Sequence, residues 1–285
     1  MLFGRVIRLA GRVGGAAIPG GVMMISGKHA GVAIVDYLDC VHAASFDTVE
    51  NTIKIPGLRG IASLGCSLMT MVKGMIKAEE LRTGAEGEDP LRLLAPAGIL
   101  IGSAAYSLGM GALFENARKK LGKKTKNPAV TAGLNAAEAL SAIAPVLLLA
   151  VTPAGKEVRG FHGAEHKTVH CADKGIPPIP ENAYRESRIH PRCGTSLAVT
   201  AELFFLAGCT LVTPFIPEKW QPLANDVLMT ASMAAAYEGL MKKGDGAFGK
   251  LGALAQKFTT AEPDTAMLEA ASAAIYAALE PDERS

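Results

Sequence analysis

The chain has 285 residues, with 29 Lys and Arg against 27 Asp and Glu and a formal net charge of +2. That near balance excludes a chain-wide polyanion-binding surface, and the length suffices for one large domain or several small ones. Hydrophobic residues reach 49% while aromatics stay at 5%, and a mean hydropathy of +0.24 is high for a soluble globule and low for a many-span transporter. A protein partly in the membrane fits these totals. The five cysteines, Cys40, Cys66, Cys171, Cys193 and Cys209, are odd in number and irregularly spaced. They argue against a secreted disulfide framework and for a reduced, cytosol-facing setting. The N-terminus, MLFGRVIRLAGRVGG, is basic but lacks a continuous apolar run, so it does not read as a cleaved signal peptide.

Residues 1–55 are Gly-rich, and GGAAIPGGVMMISGKHAGVAIVDY predicts short strands and turns, with Val32 to Val35 as a buried strand. Residues 56–90 read as a helix followed by a linker. Leu64, Leu68, Met71, Val72, Met75 and Ile76 fall at helical spacing, and TGAEGEDP (83–90) interrupts it. Leu93 to Phe114 carries no charge over 22 residues, and a membrane-spanning helix needs about 20. A basic stretch, ENARKKLGKKTKN, follows as a short loop. Residues 128–153 are apolar apart from Glu138, 194–216 apart from Glu202, and 223–240 apart from Asp226 and Glu238. Acids within such segments face a bundle interior or a functional cavity.

The expected architecture is a mainly α, membrane-associated protein with about four apolar helical segments in two hairpins, 91–153 and 194–241. A small N-terminal β-containing region (1–55) precedes them, a polar site segment (154–193) separates them, and a tail (242–285) ends in an amphipathic helix. In that helix Pro263 and Asp264 suit the first turn, and Leu268, Ala271, Ile275, Ala278 and Leu279 form one apolar stripe. Full spanning puts the N-terminal region, the site segment and the tail on one side. Their Lys and Arg make that side cytoplasmic, at a bacterial inner membrane. Arg118, Lys119, Lys120, Lys123, Lys124 and Lys126 in the 115–127 loop oppose this, unless the first hairpin is re-entrant, helped by Pro96 and Pro145.

The chemistry concentrates in FHGAEHK (161–167) and IHPRCGTS (189–196). On a helix His162 and His166 lie one turn apart on one face and can offer two nitrogens to one zinc ion. Glu165 stands beside that face, within reach of metal-activated water as general base. H-x-x-E-H is the inverted form of the zinc-protease helix motif. The remaining ligands come from His170 or Cys171 just downstream, or from His190 and Cys193. Cys171 points away on a straight helix. Cys193 precedes Gly194 and an apolar helix, so it suits a helix N-terminus, which favours an anionic sulfur. Arg188 and Arg192 are candidates to bind phosphate or carboxylate, or to anchor the chain beside the membrane. The bland alternative for the histidines is a satisfied polar core. No Walker pattern supports nucleotide binding, and no basic–aromatic interleaving supports nucleic acid.

FHGAEHKTVHC and SRIHPRCGTS resemble the YqhQ-like family, bacterial membrane proteins built on a domain of unknown function. GGAAIPGGVMM, PGLRGIASL (56–64), AAYEGL (235–240) and QKFTTAEPD (256–264) carry the resemblance along nearly the whole chain. It implies a metal-dependent membrane enzyme whose site matches His162, Glu165, His166, His190, Arg192 and Cys193, with Cys171 alongside and Glu238 and Glu262 approaching from the tail. Two functions follow. One is a zinc hydrolase at the membrane surface, with Glu165 and Arg192 catalytic, membrane lipid as partner and a substrate of unknown identity. The other is a non-catalytic sensor, carrier or assembly factor with a structural zinc. Three protein ligands plus water favour the first, and a closed four-ligand shell favours the second.

Overall fold

The protein is described by a computed structural model covering residues 13–53, 55, 58–84, 94–122, scattered positions between 130 and 144, 152–242 and 247–279. Most of the expected apolar segment 128–153, most of the linker 83–90 and the end of the basic 115–127 stretch lie outside the described residues.

Four antiparallel strands, β1 (Val13–Ile18), β2 (Gly21–Ser26), β3 (His29–Val35) and β4 (Val41–Asp47), form a meander in that order. Two tight turns set its register. Gly20 (φ 67°) closes the first and Gly27 (φ 58°) the second, a backbone region that glycine enters without steric cost. Alternation then sorts the side chains onto two faces. Ile18, Val32 and Ile34 face helix α1 (Leu58–Thr83), meeting Met75 and Ala78. Val13, Val22, Met24 and Ala33 face α3 (Pro153–Asp173) and the terminal helix α8 (Thr265–Ala278).

Asp264 caps α8 by accepting a hydrogen bond from the Met267 N–H. The helix docks on the sheet, burying Leu268, Ala271, Ile275, Ala278 and Leu279. The contact is close because both partners are small. A Cβ on Gly31 of β3 would stand 2.0 Å from the Ala274 carbonyl oxygen. The expected amphipathic stripe is therefore core, and it seals the face of the sheet on which α3 also lies.

The remaining helices with described bounds are α2 (Leu94–Gly122), the short α4 (Pro180–Tyr184), α5 (Gly194–Leu211), α6 (Gln221–Lys242) and α7 (Ala247–Thr259). The chain is thus mainly helical with an N-terminal sheet. Helix α2 continues through Glu115–Gly122, so these residues are helical where a loop was expected, and Arg118 pairs there with Glu138. Among the described residues one helix, α5, is long and apolar enough to cross a membrane. Two 3₁₀ turns, Thr213–Phe215 and Glu218–Trp220, join it to α6.

Candidate metal centre

Helix α3 begins where Thr152 accepts a hydrogen bond from Gly155 N–H at 3.1 Å and Pro153 occupies the first turn. Its uninterrupted course sets His162 and His166 edge to face, with ring centroids 4.4 Å apart. Cys193 is the cap of α5, its sulfur accepting from Thr195 N–H at 3.3 Å. That cap brings the thiol to 3.3 Å from His162 Nε2. One donor atom each from His162, His166 and Cys193 lie within 4.8 Å of one another. A tetrahedral zinc with bonds of about 2.0–2.3 Å holds such donors roughly 3.3–3.6 Å apart, so the three fit one ion with small adjustments.

The other face of each imidazole is already committed. His162 Nδ1–H donates to the Thr259 carbonyl at 2.9 Å, and His166 Nδ1–H donates to the Arg188 carbonyl at 2.6 Å. A carbonyl only accepts, so both rings carry their proton on Nδ1 and turn an Nε2 lone pair inward, the tautomer that a backbone-supported metal ligand requires. His166 Nε2 is buried without a hydrogen-bond partner. A buried polar atom left unpaired is costly, and a metal ion would satisfy it. Burial works against a charge on His166, but Glu165 and Cys193 beside it outweigh that and raise its pKa above the usual imidazole value.

Close approach of the tail makes this support possible. A Cβ on Gly163 would lie 2.0 Å from the Ala261 carbonyl oxygen, and Ala261 N–H donates to the Arg159 carbonyl at 2.8 Å. The glycine inside HGAEH thus lets residues 259–261 cross α3 and present Thr259 to His162. Glu165, also buried, places Oε2 3.5 Å from His166 Nε2 and 3.9 Å from His162 Nε2. Opposite it runs β1: a Cβ on Gly15 would meet Glu165 Cγ at 2.7 Å. Between β1, α3 and the start of α5 opens a cleft of about 360 Å³, lined by Gly15, Ala17, His162, Glu165, His166 and Cys193 among others.

His190 and Cys171 are not brought into this cluster. Both His190 nitrogens are engaged: Nε2–H donates to Asp173 at 3.0 Å, and Nδ1 accepts from Arg192 N–H at 3.2 Å. Burial, with His170 and His166 nearby, pushes its pKa below the usual value despite Asp173. Cys171 sits on the far side of α3 in the core, and burial, with Glu186 adding, pushes its thiol up to about 11. His170 donates to the Ile189 carbonyl at 2.9 Å. Arg192 borders the cleft, but its Nη2 grips both Asp173 oxygens, at 2.6 and 2.8 Å. Burial would raise Asp173; hydrogen bonds from His190 and Arg192 outweigh it and hold the carboxyl below the usual range. Glu262 pairs with Lys167 and Arg188 rather than approaching the donors. Glu238 lies on α6 and is not among the residues lining the cleft.

One supporting residue opens the QKFTTAEPD stretch, yet no pattern in the sequence assigns it a role. Gln256 of α7, fully buried, accepts from His190 N–H at 2.7 Å and donates to His190 O and Ser196 Oγ at 2.8 Å each. It clamps the chain on both sides of Cys193. A lone glutamine in an amphipathic stretch gives no spacing signal that would mark it.

Fold and site together define a mainly helical protein with a small sheet and a His–His–Cys cluster at the edge of that sheet. Residues 55–281 match the family described as proteins of unknown function, DUF1385, and the chain belongs to that family. It is also similar to the uncharacterized protein YqhQ of Bacillus subtilis (strain 168), with 43% identity over 51 residues, 18% of this chain and 16% of the length of that protein. No solved structure matches it.

Proposed function

We propose that the protein is a membrane-associated, metal-dependent hydrolase that holds zinc through His162, His166 and Cys193. The observation that carries this reading is the inward-facing, unpartnered His166 Nε2, focused with two other donors on one point beside a cleft. Nitrogen and thiolate donors favour zinc over harder cations. Bound zinc would polarise a substrate oxygen and acidify water near neutral pH. Three protein donors beside a cleft support catalysis over a structural staple, whose shell is closed by four. Glu165 takes the proton of the attacking water and passes it to the leaving group. Arg192, held by Asp173, positions the turn that carries Cys193.

In this reading the α5–α6 hairpin enters the inner membrane, with the site on its cytoplasmic side. Leu211, Phe215, Leu223 and Val227 are exposed. Trp220 stands with Lys219 at the turn between α5 and α6. Such residues suit lipid and its interface.

Mass-spectrometric metal analysis of detergent-purified protein is the test. The expectation is about one zinc per chain in wild type and Glu165→Gln, loss of zinc in His162→Ala and Cys193→Ala, and loss of turnover in Glu165→Gln. Wild-type protein purified without chelator and found free of metal sinks the reading.

A further inference from the structure

We propose that the cleft binds an extended polypeptide by pairing it with the free edge of β1, which makes the scissile group a peptide bond. This rests on the hydrolase reading above and names its substrate class.

The argument begins with register. The β1–β2 turn pairs Ile18 with Gly21, and the β2–β3 turn pairs Ser26 with His29. In an antiparallel hairpin the pair closing a two-residue turn exchanges both hydrogen bonds, and such pairs alternate. Gly14, Ala16 and Ile18 therefore bond to β2, while Val13, Gly15 and Ala17 turn their N–H and C=O groups outward. β1 is the first strand of the sheet, and among the described residues no backbone group bonds to this outer edge.

This edge borders the metal cluster. Gly15 and Ala17 line the same cleft as His162, Glu165 and Cys193. Gly15 is exposed, and because it has no side chain the strand runs directly against Glu165. Proteins blunt an open edge with charge, proline or a bulge. VGGAAI has none of these; its small residues leave room for another chain. Donors and acceptors repeating every second residue are matched by a polypeptide with the same repeat, not by a phosphate headgroup or a sugar. From Val13 to Ala17 the edge extends about 13 Å at ~3.3 Å per residue, enough to pair three or four substrate residues. In the reaction water adds its oxygen to the carbonyl carbon and the C–N bond breaks. Glu165 carries the water proton to the departing nitrogen, and the products are a carboxylate and an amine.

The experiment uses zinc-loaded full-length protein with two probes, an internally quenched peptide library and p-nitrophenyl acetate, an ester too short to pair with a strand. Zinc content and Glu165-dependent ester hydrolysis test the hydrolase reading alone. The edge is tested by Ala17→Pro, which removes an outward N–H and blocks the approach while sparing the β2 ladder. Peptide kcat/KM should fall at least about tenfold, one ladder bond being worth roughly that factor, with zinc retained. If the variant fails to fold, peptides N-methylated at alternate residues ask the same question and should resist cleavage. In the Glu165→Gln protein the library should slow hydrogen exchange at the Gly15 and Ala17 amides. Glu165-dependent ester hydrolysis without peptide cleavage, undiminished cleavage by Ala17→Pro, or unchanged exchange at both amides overturns the proposal and leaves the hydrolase reading standing.

Discussion

Replacing Gln256 by Met isolates the clamp behind Cys193. Methionine keeps the length and much of the volume of glutamine, so packing changes little. Three hydrogen bonds vanish: His190 N–H at 2.7 Å, His190 O at 2.8 Å and Ser196 Oγ at 2.8 Å. The two His190 backbone groups are left unpaired beside a fully buried side chain. Each such group costs about 1–3 kcal/mol, so the loss is about 3 kcal/mol even if the Ser196 hydroxyl finds a new partner. At roughly 2–4 °C per kcal/mol for a chain of this size, the melting temperature drops about 6–12 °C. Circular dichroism in detergent reads the melt, and elemental analysis reads zinc. Zinc should fall with stability, because the 190–193 turn carries Cys193 to the histidines. A melt within about 2 °C of wild type, with zinc intact, would refute the reasoning that a buried glutamine holds the third donor in place.

Gly31→Ala should destabilise by about 2–3 kcal/mol, since its Cβ meets the Ala274 carbonyl at 2.0 Å and neither backbone yields cheaply. Gly65→Ala on α1 meets nothing within 4 Å and should stabilise by about 0.5–1 kcal/mol; thermal melts of the pair check both signs. Cys171, with its thiol pushed up to about 11, is thiolate in about one molecule in a thousand at pH 8. Iodoacetamide and peptide mapping should find exposed Cys40 labelled in folded protein and Cys171 labelled only after denaturation. Asp173 titrates below its ordinary 3.8, so its contribution is fully present above that value and is lost as pH falls through the folded pKa. Asp173→Asn should cost about 1 kcal/mol at pH 7 after solvent screening, and the gap from wild type should begin to narrow as pH falls past about 3.8 and vanish below the folded pKa.

Local geometry made much of this legible. The i, i+4 spacing of His162 and His166 needs only a helix, and the helix is there with both rings on one face, edge to face. The same reasoning turned Cys171 away from them, and it lies in the core on the opposite side. Alternation and glycine turns foretold strands in the N-terminal region, and Val32 to Val35 is the end of β3. The apolar stripe foretold the last helix; Pro263 and Asp264, expected in its first turn, stand just before it, Asp264 as the cap. Extent was harder to judge. The charged 115–122 stretch looked like a loop, yet it continues α2, because Lys, Arg, Glu and Leu are good helix formers and no breaker precedes Gly122.

The sequence by itself determined what lies within a turn or a strand of each residue: two inward histidines, a neighbouring carboxylate, a capping cysteine and an uncharged strand of small residues. Tertiary structure decided which distant groups join them. His190 and Cys193 share one short segment and offered themselves equally as donors. The Asp173–Arg192 ion pair and the Gln256 clamp engage His190, buried beside His166, in other hydrogen bonds and place Cys193 at the cluster. Thr259 and Arg188 fix the histidine tautomers through backbone carbonyls, which every residue possesses and no spacing marks. The crossing that delivers Thr259 depends on a missing Cβ at Gly163, and the approach of β1 to Glu165 on one at Gly15. Helical and strand periods are properties of the local backbone, but these contacts depend on the path of the whole chain.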